Sequence, residues 1–245
     1  MTSPEPVGAD LEPAIAAACG RLGISAAPDA MQRLAAYAAS LWSWNAKLNL
    51  TRHTDVERFV SRDVADAVSI EPHLGRGERV LDVGTGGGVP GVLLAILRPD
   101  LRMELCDSVG KRARAVRAIV GEIGLDAAVH EGAAQPLVTA AAAAGRRFDV
   151  LVVRAVAPLV KLLGWFEPLC EDFGRMLVVK GPRWEDEKGE ARHRGFVKRV
   201  TVRRIAAWPI PGSDNESVLL EVKRRGAAEG DRVQGATGRP PSAGA

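Results

Sequence analysis

The run Asp82-Val83-Gly84-Thr85-Gly86-Gly87-Gly88-Val89-Pro90-Gly91 has the plainest chemical reading in this chain. Glycines let a backbone turn sharply and approach a ligand with no Cβ in the way. Free N–H groups at the start of a following helix, placed here near Val89, can receive a carboxylate or another acceptor. The form Asp82-x-Gly84-x-Gly86-x-Gly88, with Asp107 closing the next apolar run, points to S-adenosylmethionine, Asp107 accepting from both ribose hydroxyls. Gly86-x-Gly88-x-x-Gly91 also satisfies a dinucleotide fingerprint, and a nicotinamide enzyme would use a similarly placed acid. A strand-like C-terminal pair and the lack of a second substrate-domain pattern favour a methyltransferase over an oxidoreductase. A tight turn with no ligand is the blandest reading, and the strand, loop, helix and acid occurring together argue against it.

Between Arg192 and Arg204 stand Arg192, Arg194, Lys198, Arg199, Arg203 and Arg204 with no acid among them. This segment suits a phosphate-facing patch, with a solvated strand face as the alternative. Arg199 and Arg203 are four apart and would share a face of one strand. Lys111, Arg112, Arg114 and Arg117 spread around more than one face of a helix, so only some of them can touch one phosphate track.

Arg154 and Lys180 end adjacent apolar runs and so project over the carboxyl ends of a sheet, where ligands of open α/β folds bind. They are the candidate catalytic residues, acting by positioning cofactor or RNA rather than by moving a proton. For Lys180 the competing reading is a strand-end cation in solvent. The four histidines are scattered without metal spacing. Cys19, Cys106 and Cys170 show no Cys-x-x-Cys, which suggests neither zinc nor a disulfide framework and fits a reducing compartment. None of them sits as the nucleophile that a carbon-5 pyrimidine enzyme requires. Arg154-Ala155-Val156-Ala157-Pro158 stands where an exocyclic-amine enzyme shows Asn/Asp-Pro-Pro-aromatic, whereas Lys180 with Glu216 leaves a ribose 2′-O enzyme open. The tryptophans read as packing residues, Trp42 and Trp44 in the N-terminal helices.

These residues need an α/β framework to hold them. Met31, Leu34, Ala35, Ala38, Leu41 and Trp42 recur at helical spacing between Asp10 and about Leu50, and a second helix is predicted over Asp55 to Leu74. After Gly77, β-branched runs alternate with helical stretches: Arg79 to Val83, Arg102 to Cys106, Ala127 to His130, Phe148 to Val153 and Arg175 to Val179. Phe196 to Ala207 and Ser217 to Arg224 follow as an antiparallel hairpin. The expected organisation is a helical cap over 1–76, a Rossmann-like core over 77–225 and a disordered tail over 226–245.

With 47% hydrophobic and 26% charged residues the chain can bury a core without staples. Its formal net charge of +3 is too small to demand a polyanionic partner. The start, MTSPEPVGADLEP, carries acids and prolines where a signal peptide has a basic flank and an apolar run, and no stretch approaches a membrane span, so a cytoplasmic protein that does not touch membrane is expected.

Five blocks carry a resemblance over nearly the whole ordered chain: WNAKLNLT (44–51), LDVGTGGGVPG (81–91), DSVGKRAR (107–114), FDVLVVRAVAPL (148–159) and GRMLVVKG (174–181). Together they resemble the ribosomal RNA small subunit methyltransferase G family, also called glucose-inhibited division protein B. The resemblance implies a class I methyltransferase fold and formation of 7-methylguanosine in the decoding-region loop of small-subunit ribosomal RNA. It implies S-adenosylmethionine as cofactor and the RNA or the 30S subunit as partner; a monomer is expected. Its implied cofactor contacts are Gly84 and Val89, then Ala133 and Ala134, then Arg154, alongside Asp82, Gly86 and Asp107. The chain departs from the family where Gly132-Ala133-Ala134-Gln135 replaces an Arg-x-Glu pattern. In SRDVADAV it keeps Arg62 and Asp66 but has Asp63 and Ala67 for a histidine and a serine. A ribose-directed enzyme and a non-catalytic RNA-binding module are the other readings.

Overall fold

The computed structural model describes residues 9–226. The expectation for the C-terminal tail falls, Gly226 aside, outside that range. The element order begins with α1 (Glu12–Arg21), α2 (Pro28–Leu48), α3 (Val56–Arg58), a π-helical turn (Phe59–Val64) and α4 (Ala65–Ile70). It continues with β1 (Arg79–Val83), α5 (Gly91–Leu97), β2 (Arg102–Asp107), α6 (Gly110–Glu122), β3 (Ala128–Glu131), α7 (Ala134–Ala143) and β4 (Phe148–Arg154). Then come α8 (Leu159–Phe166), β5 (Phe173–Lys180), α9 (Trp184–His193), β6 (Val200–Pro209) and β7 (Glu216–Arg224).

The strands form one seven-stranded sheet in the order β3-β2-β1-β4-β5-β7-β6. β1 pairs in parallel with β2 and β4, setting Asp82 opposite Leu105 and Val152, while β7 runs antiparallel to both β5 and β6. The short β-branched strands alternate their side chains between two covered faces. Val80, Val150 and Val152 join Leu34, Leu41, Phe59, Val92 and Val116 on one side, under α2, the π turn, α5 and α6. Leu81, Leu151 and Val153 join Val138, Leu163, Phe166 and Ala191 on the other, under α7, α8 and α9.

The succession of strands and helices along the chain and the terminal antiparallel hairpin match the sequence reading, the order of strands across the sheet is not part of it, and local chemistry moves several boundaries. The predicted N-terminal helix is broken at residues 22–27, where Gly23 turns with φ +68° and Pro28 opens α2 at a position that needs no intrahelical N–H. The predicted Asp55 to Leu74 helix starts one residue later, capped by Asp55 Oδ1 accepting from Arg58 N at 2.8 Å, and widens to a π turn at Phe59–Val64. The first hairpin strand begins at Val200 rather than Phe196, because Gly195 turns the chain with φ +79° and the Phe196 ring packs against Gly164 of α8. Arg199 therefore lies outside the strand that carries Arg203. Among the described residues no helix is long and apolar enough to cross a membrane.

Candidate active site

The carboxyl ends of β1, β2, β4 and β5 carry the loops in which the candidate residues stand. Gly84, Gly86 and Gly88 adopt φ of +68°, +60° and +110°, a region closed to most side chains. Gly84 N and Thr85 N both donate to Cys106 O at 2.9 Å, and Gly86 N donates to Asp107 Oδ2 at 2.9 Å. Asp107 Oδ1 accepts from Val109 N at 2.8 Å, and its carbonyl accepts from Gly132 N at 3.0 Å. The end of β2 thus holds the loops after β1 and β3 together, while each carboxylate oxygen keeps a second lone pair.

Asp82 works from beneath this loop. Its Oδ2 accepts from Thr85 Oγ1 at 2.6 Å and from Gly91 N at 2.9 Å, and its Oδ1 is buried without a hydrogen-bond partner. Burial pushes the carboxyl up to about 6 against the opposing pull of the Thr85 and Gly91 hydrogen bonds. At 1% exposure its side chain shapes the loop rather than its open surface.

The helix after the loop starts at Gly91, not near Val89, and the N–H groups expected to be free there are used internally. Gly88 N and Val89 N donate to Thr85 O at 2.8 and 3.1 Å, Val92 N to Gly88 O at 2.7 Å, and Gly91 N to Asp82. The bare part of the loop is instead at Gly86, where an added Cβ would meet nothing nearer than the Gly84 carbonyl at 4.0 Å. That open backbone beside the Asp107 lone pairs fits S-adenosylmethionine. Ala133 caps α7 from an exposed position and Ala134 is buried behind it, so the loop after β3 offers backbone rather than polar side chains.

The end of β4 differs most from the sequence expectation. Arg154 Nε donates to Asp66 Oδ2 at 2.6 Å, and Arg154 Nη2 lies 2.8 Å from Asp63 Oδ1. Asp66 Oδ1 also accepts from Trp208 Nε1 at 2.8 Å, and Asp63 Oδ1 lies 2.9 Å from His53 Nδ1. Burial pulls the guanidinium down, but Asp66 and Asp63 more than offset it and hold it above its ordinary value. Burial raises the Asp66 carboxyl, and Arg154 opposes the rise. Asp63, Asp66, His53 and Trp208 were absent from the sequence-based candidate set. The signal available was two acids three apart on the apolar side of a helix, beside Val60, Val64 and Ala67.

After Arg154 the chain turns through Ala155 at φ +55°, which brings Val156 over the glycine loop: a Cβ on Gly84 would lie 2.6 Å from Val156 Cγ2. Beyond it a cavity of about 400 Å³ is lined by Arg62, Asp66, Arg154, Lys180, Glu187 and Ser217 among others. Lys180 Nζ lies 2.6 Å from Glu187 Oε2 and donates to Ala157 O at 3.1 Å. The strand-end lysine is therefore neither a bare cation in solvent nor a partner of Glu216, which stands 4.0 Å from Arg204 instead. The structure brings Asp82 and Asp107, at the ends of β1 and β2, together with Gly84 and Gly86 of the loop after β1, and sets Arg154 and Lys180 in the neighbouring cavity.

A doubly covered parallel sheet with a glycine loop after β1, an acid ending β2 and an antiparallel β7 beside β5 defines the class I methyltransferase fold. The chain shares this fold with an O-methyltransferase from Bacillus cereus in complex with SAH, at a TM-score of 0.51 and 14% identity over 77% of this chain and 90% of that one. It matches a mutant of MtNAS in complex with S-adenosylmethionine at a TM-score of 0.50 and 19% identity over 86% and 79% of the two chains. The family profile of rRNA small subunit methyltransferase G (GidB) matches residues 30–211. A protein of that name from Rhodopirellula baltica is 42% identical over 82% of this chain and 81% of its own length. Another, from Cronobacter sakazakii, is 37% identical over 82% and 92%. The chain belongs to the rRNA small subunit methyltransferase G family.

Proposed function

We propose that the protein transfers the methyl group of S-adenosylmethionine to N7 of a guanine in the decoding-region loop of small-subunit ribosomal RNA, in the cytoplasm. Family membership supports the cofactor and the class of RNA. The observation that carries the choice of atom is that the charged groups at the ends of β4 and β5 are paired: Arg154 with Asp63 and Asp66, Lys180 with Glu187. Guanine N7 already holds an in-plane lone pair and needs no base to free it, so catalysis rests on positioning. When bound, S-adenosylmethionine supplies the methyl group and a leaving group.

Asp107 accepts from the ribose hydroxyls beside the bare backbone of Gly86, and Gly84, Val89, Ala133 and Ala134 border the ligand. Asp82 keeps the glycine loop in shape. Arg154 and Lys180 wall the adjoining cavity where the purine enters, and their paired charges reduce repulsion of a base that becomes cationic as it is methylated. The substrate is the RNA or the 30S subunit, approached by a monomer.

Nucleoside mass spectrometry of small-subunit RNA from cells with and without the chain tests this reading: one 7-methylguanosine is lost. Loss of a 2′-O-methylnucleoside would replace it with ribose chemistry. An unchanged profile together with retained RNA binding would leave a non-catalytic binding module.

A further inference from the structure

The basic Arg192 to Arg204 segment does not act as one patch. Arg194 is paired with Glu190 at 2.7 Å and Arg199 with Glu171 at 2.9 Å, while Arg204 lies 4.0 Å from Glu216. Arg192 and Arg203 instead meet Lys188 and Arg225 around a separate groove of about 270 Å³ between α9 and β6, the edge strand of the sheet. No acid lines this groove, and among the described residues none of its four cations has a carboxylate within 4.0 Å. Lys188 Nζ is seated over the Trp184 ring at 5.5 Å, and Arg225 donates to Val197 O at 3.1 Å, so two of the four are held in place by uncharged partners. Like charges gathered this closely repel one another, and a polyanion relieves that repulsion.

The groove is tied to the cavity through α9. Glu187 of this helix faces Lys180 in the cavity, whereas Lys188 and Arg192, one turn apart, line the groove. In the strand register Arg203 of β6 and Leu177 of β5 stand opposite the same β7 position, 221, so the groove begins about three residues, roughly 10 Å, down the sheet from Lys180. The exposed large apolar side chains, Leu22, Val109 and Trp165, are not among its lining residues, which disfavours a lipid surface.

We infer that Lys188, Arg192, Arg203 and Arg225 form a phosphate-binding groove that holds the RNA backbone flanking the target nucleotide. The inference rests on the RNA-methyltransferase reading. It assigns to these residues substrate affinity and not the methyl transfer itself.

The test compares two double variants of equal charge change, Arg192→Gln with Arg203→Gln and the ion-paired control Arg194→Gln with Arg204→Gln. RNA binding is measured against salt, and methyl transfer against RNA concentration. Removing a cation that neutralises one phosphate should flatten the slope of log affinity against log salt by about 0.7 to 0.9, so the groove pair should reduce the slope by about 1.5 and raise KM for RNA about tenfold. Its kcat and S-adenosylmethionine affinity should stay at the parent values, and the control pair should change little. Parental slope and KM in the groove pair, or an equal loss in the control pair, overturns the groove. A parent chain that binds RNA without methylating it overturns the functional reading and leaves the groove standing if the slope still falls. Salt-dependent capture by anionic vesicles with no binding to RNA overturns both.

Discussion

Arg154 Nε donates to Asp66 Oδ2 at 2.6 Å across 88 positions of sequence, fastening the end of β4 to α4. The same guanidinium reaches Asp63 of the π turn, and Trp208 of β6 donates to Asp66 from the opposite side. One partly buried cation, paired with two buried carboxylates, thereby joins the N-terminal helices, the central sheet and the terminal hairpin. Removing one partner of a buried ion pair leaves uncompensated charge and costs about 3 to 5 kcal/mol. Arg154→Met should lower unfolding free energy in urea by that amount. Arg154→Lys should recover little of it, because an ammonium cannot reproduce the two-pronged contact. Parental stability in Arg154→Met would show that the network contributes nothing.

Asp82 should give a distinctive dependence on pH. Its carboxyl is raised by burial to about 6, so the folded chain keeps this proton after the unfolded chain has released it. The stability from this group is present in full below the ordinary carboxylate range and is lost as pH rises through about 6. Asp82→Asn retains an oxygen for Thr85 and Gly91 and removes the titration. The variant should therefore gain stability relative to the parent between pH 4 and pH 7, on the order of 3 kcal/mol at most. A flat difference in denaturation midpoints over that range would mean that Asp82 does not titrate there.

Gly84 and Gly86 separate steric closure from ligand approach. A Cβ on Gly84 would sit 2.6 Å from Val156 Cγ2, whereas one on Gly86 would enter open space. Gly84→Val should lower thermal stability as well as abolish S-adenosylmethionine binding, a cost that the spacing of glycines alone does not foretell. Gly86→Ala carries only the left-handed backbone penalty, about 1 kcal/mol, yet should weaken S-adenosylmethionine measurably in calorimetric titration. Unchanged affinity in Gly86→Ala would move the cofactor away from this loop.

Asp107→Ala removes the acceptor for Gly86 N and Val109 N together with the proposed ribose contact. Loss of S-adenosylmethionine affinity should exceed about tenfold, with a stability loss of about 1 to 3 kcal/mol from the orphaned N–H groups. If thermal unfolding alone changes, Asp107 serves only to join the loops.

The thiols should be silent in the folded protein. Cys19, Cys106 and Cys170 are all buried, and burial raises the Cys106 thiol to about 12. A chromogenic disulfide reagent at neutral pH should label them slowly before denaturant is added and fully afterwards. Rapid labelling of the native chain would reveal an accessible thiolate that this fold does not provide.

The alternation of β-branched runs with helical stretches, and the glycines between Asp82 and Gly91, were readable from residue order because they report local preferences: strand pleat, helix period and permitted φ. The central strands accordingly appear where expected, with Arg79–Val83 reproduced at both ends. Charge was not readable in this way. Arg154 reads as a ligand contact, and the structure adds a role that residue order did not show, counter-ion of Asp63 and Asp66 far back in the chain. Six basic residues between Arg192 and Arg204 read as one patch, yet Arg194, Arg199 and Arg204 have carboxylates beside them, while Arg192 and Arg203 are joined by Lys188 and Arg225 from beyond the segment. A residue's type states the charge it carries, but whether that charge is spent inside the protein or offered to a ligand depends on which distant side chains folding brings within about 4 Å of it.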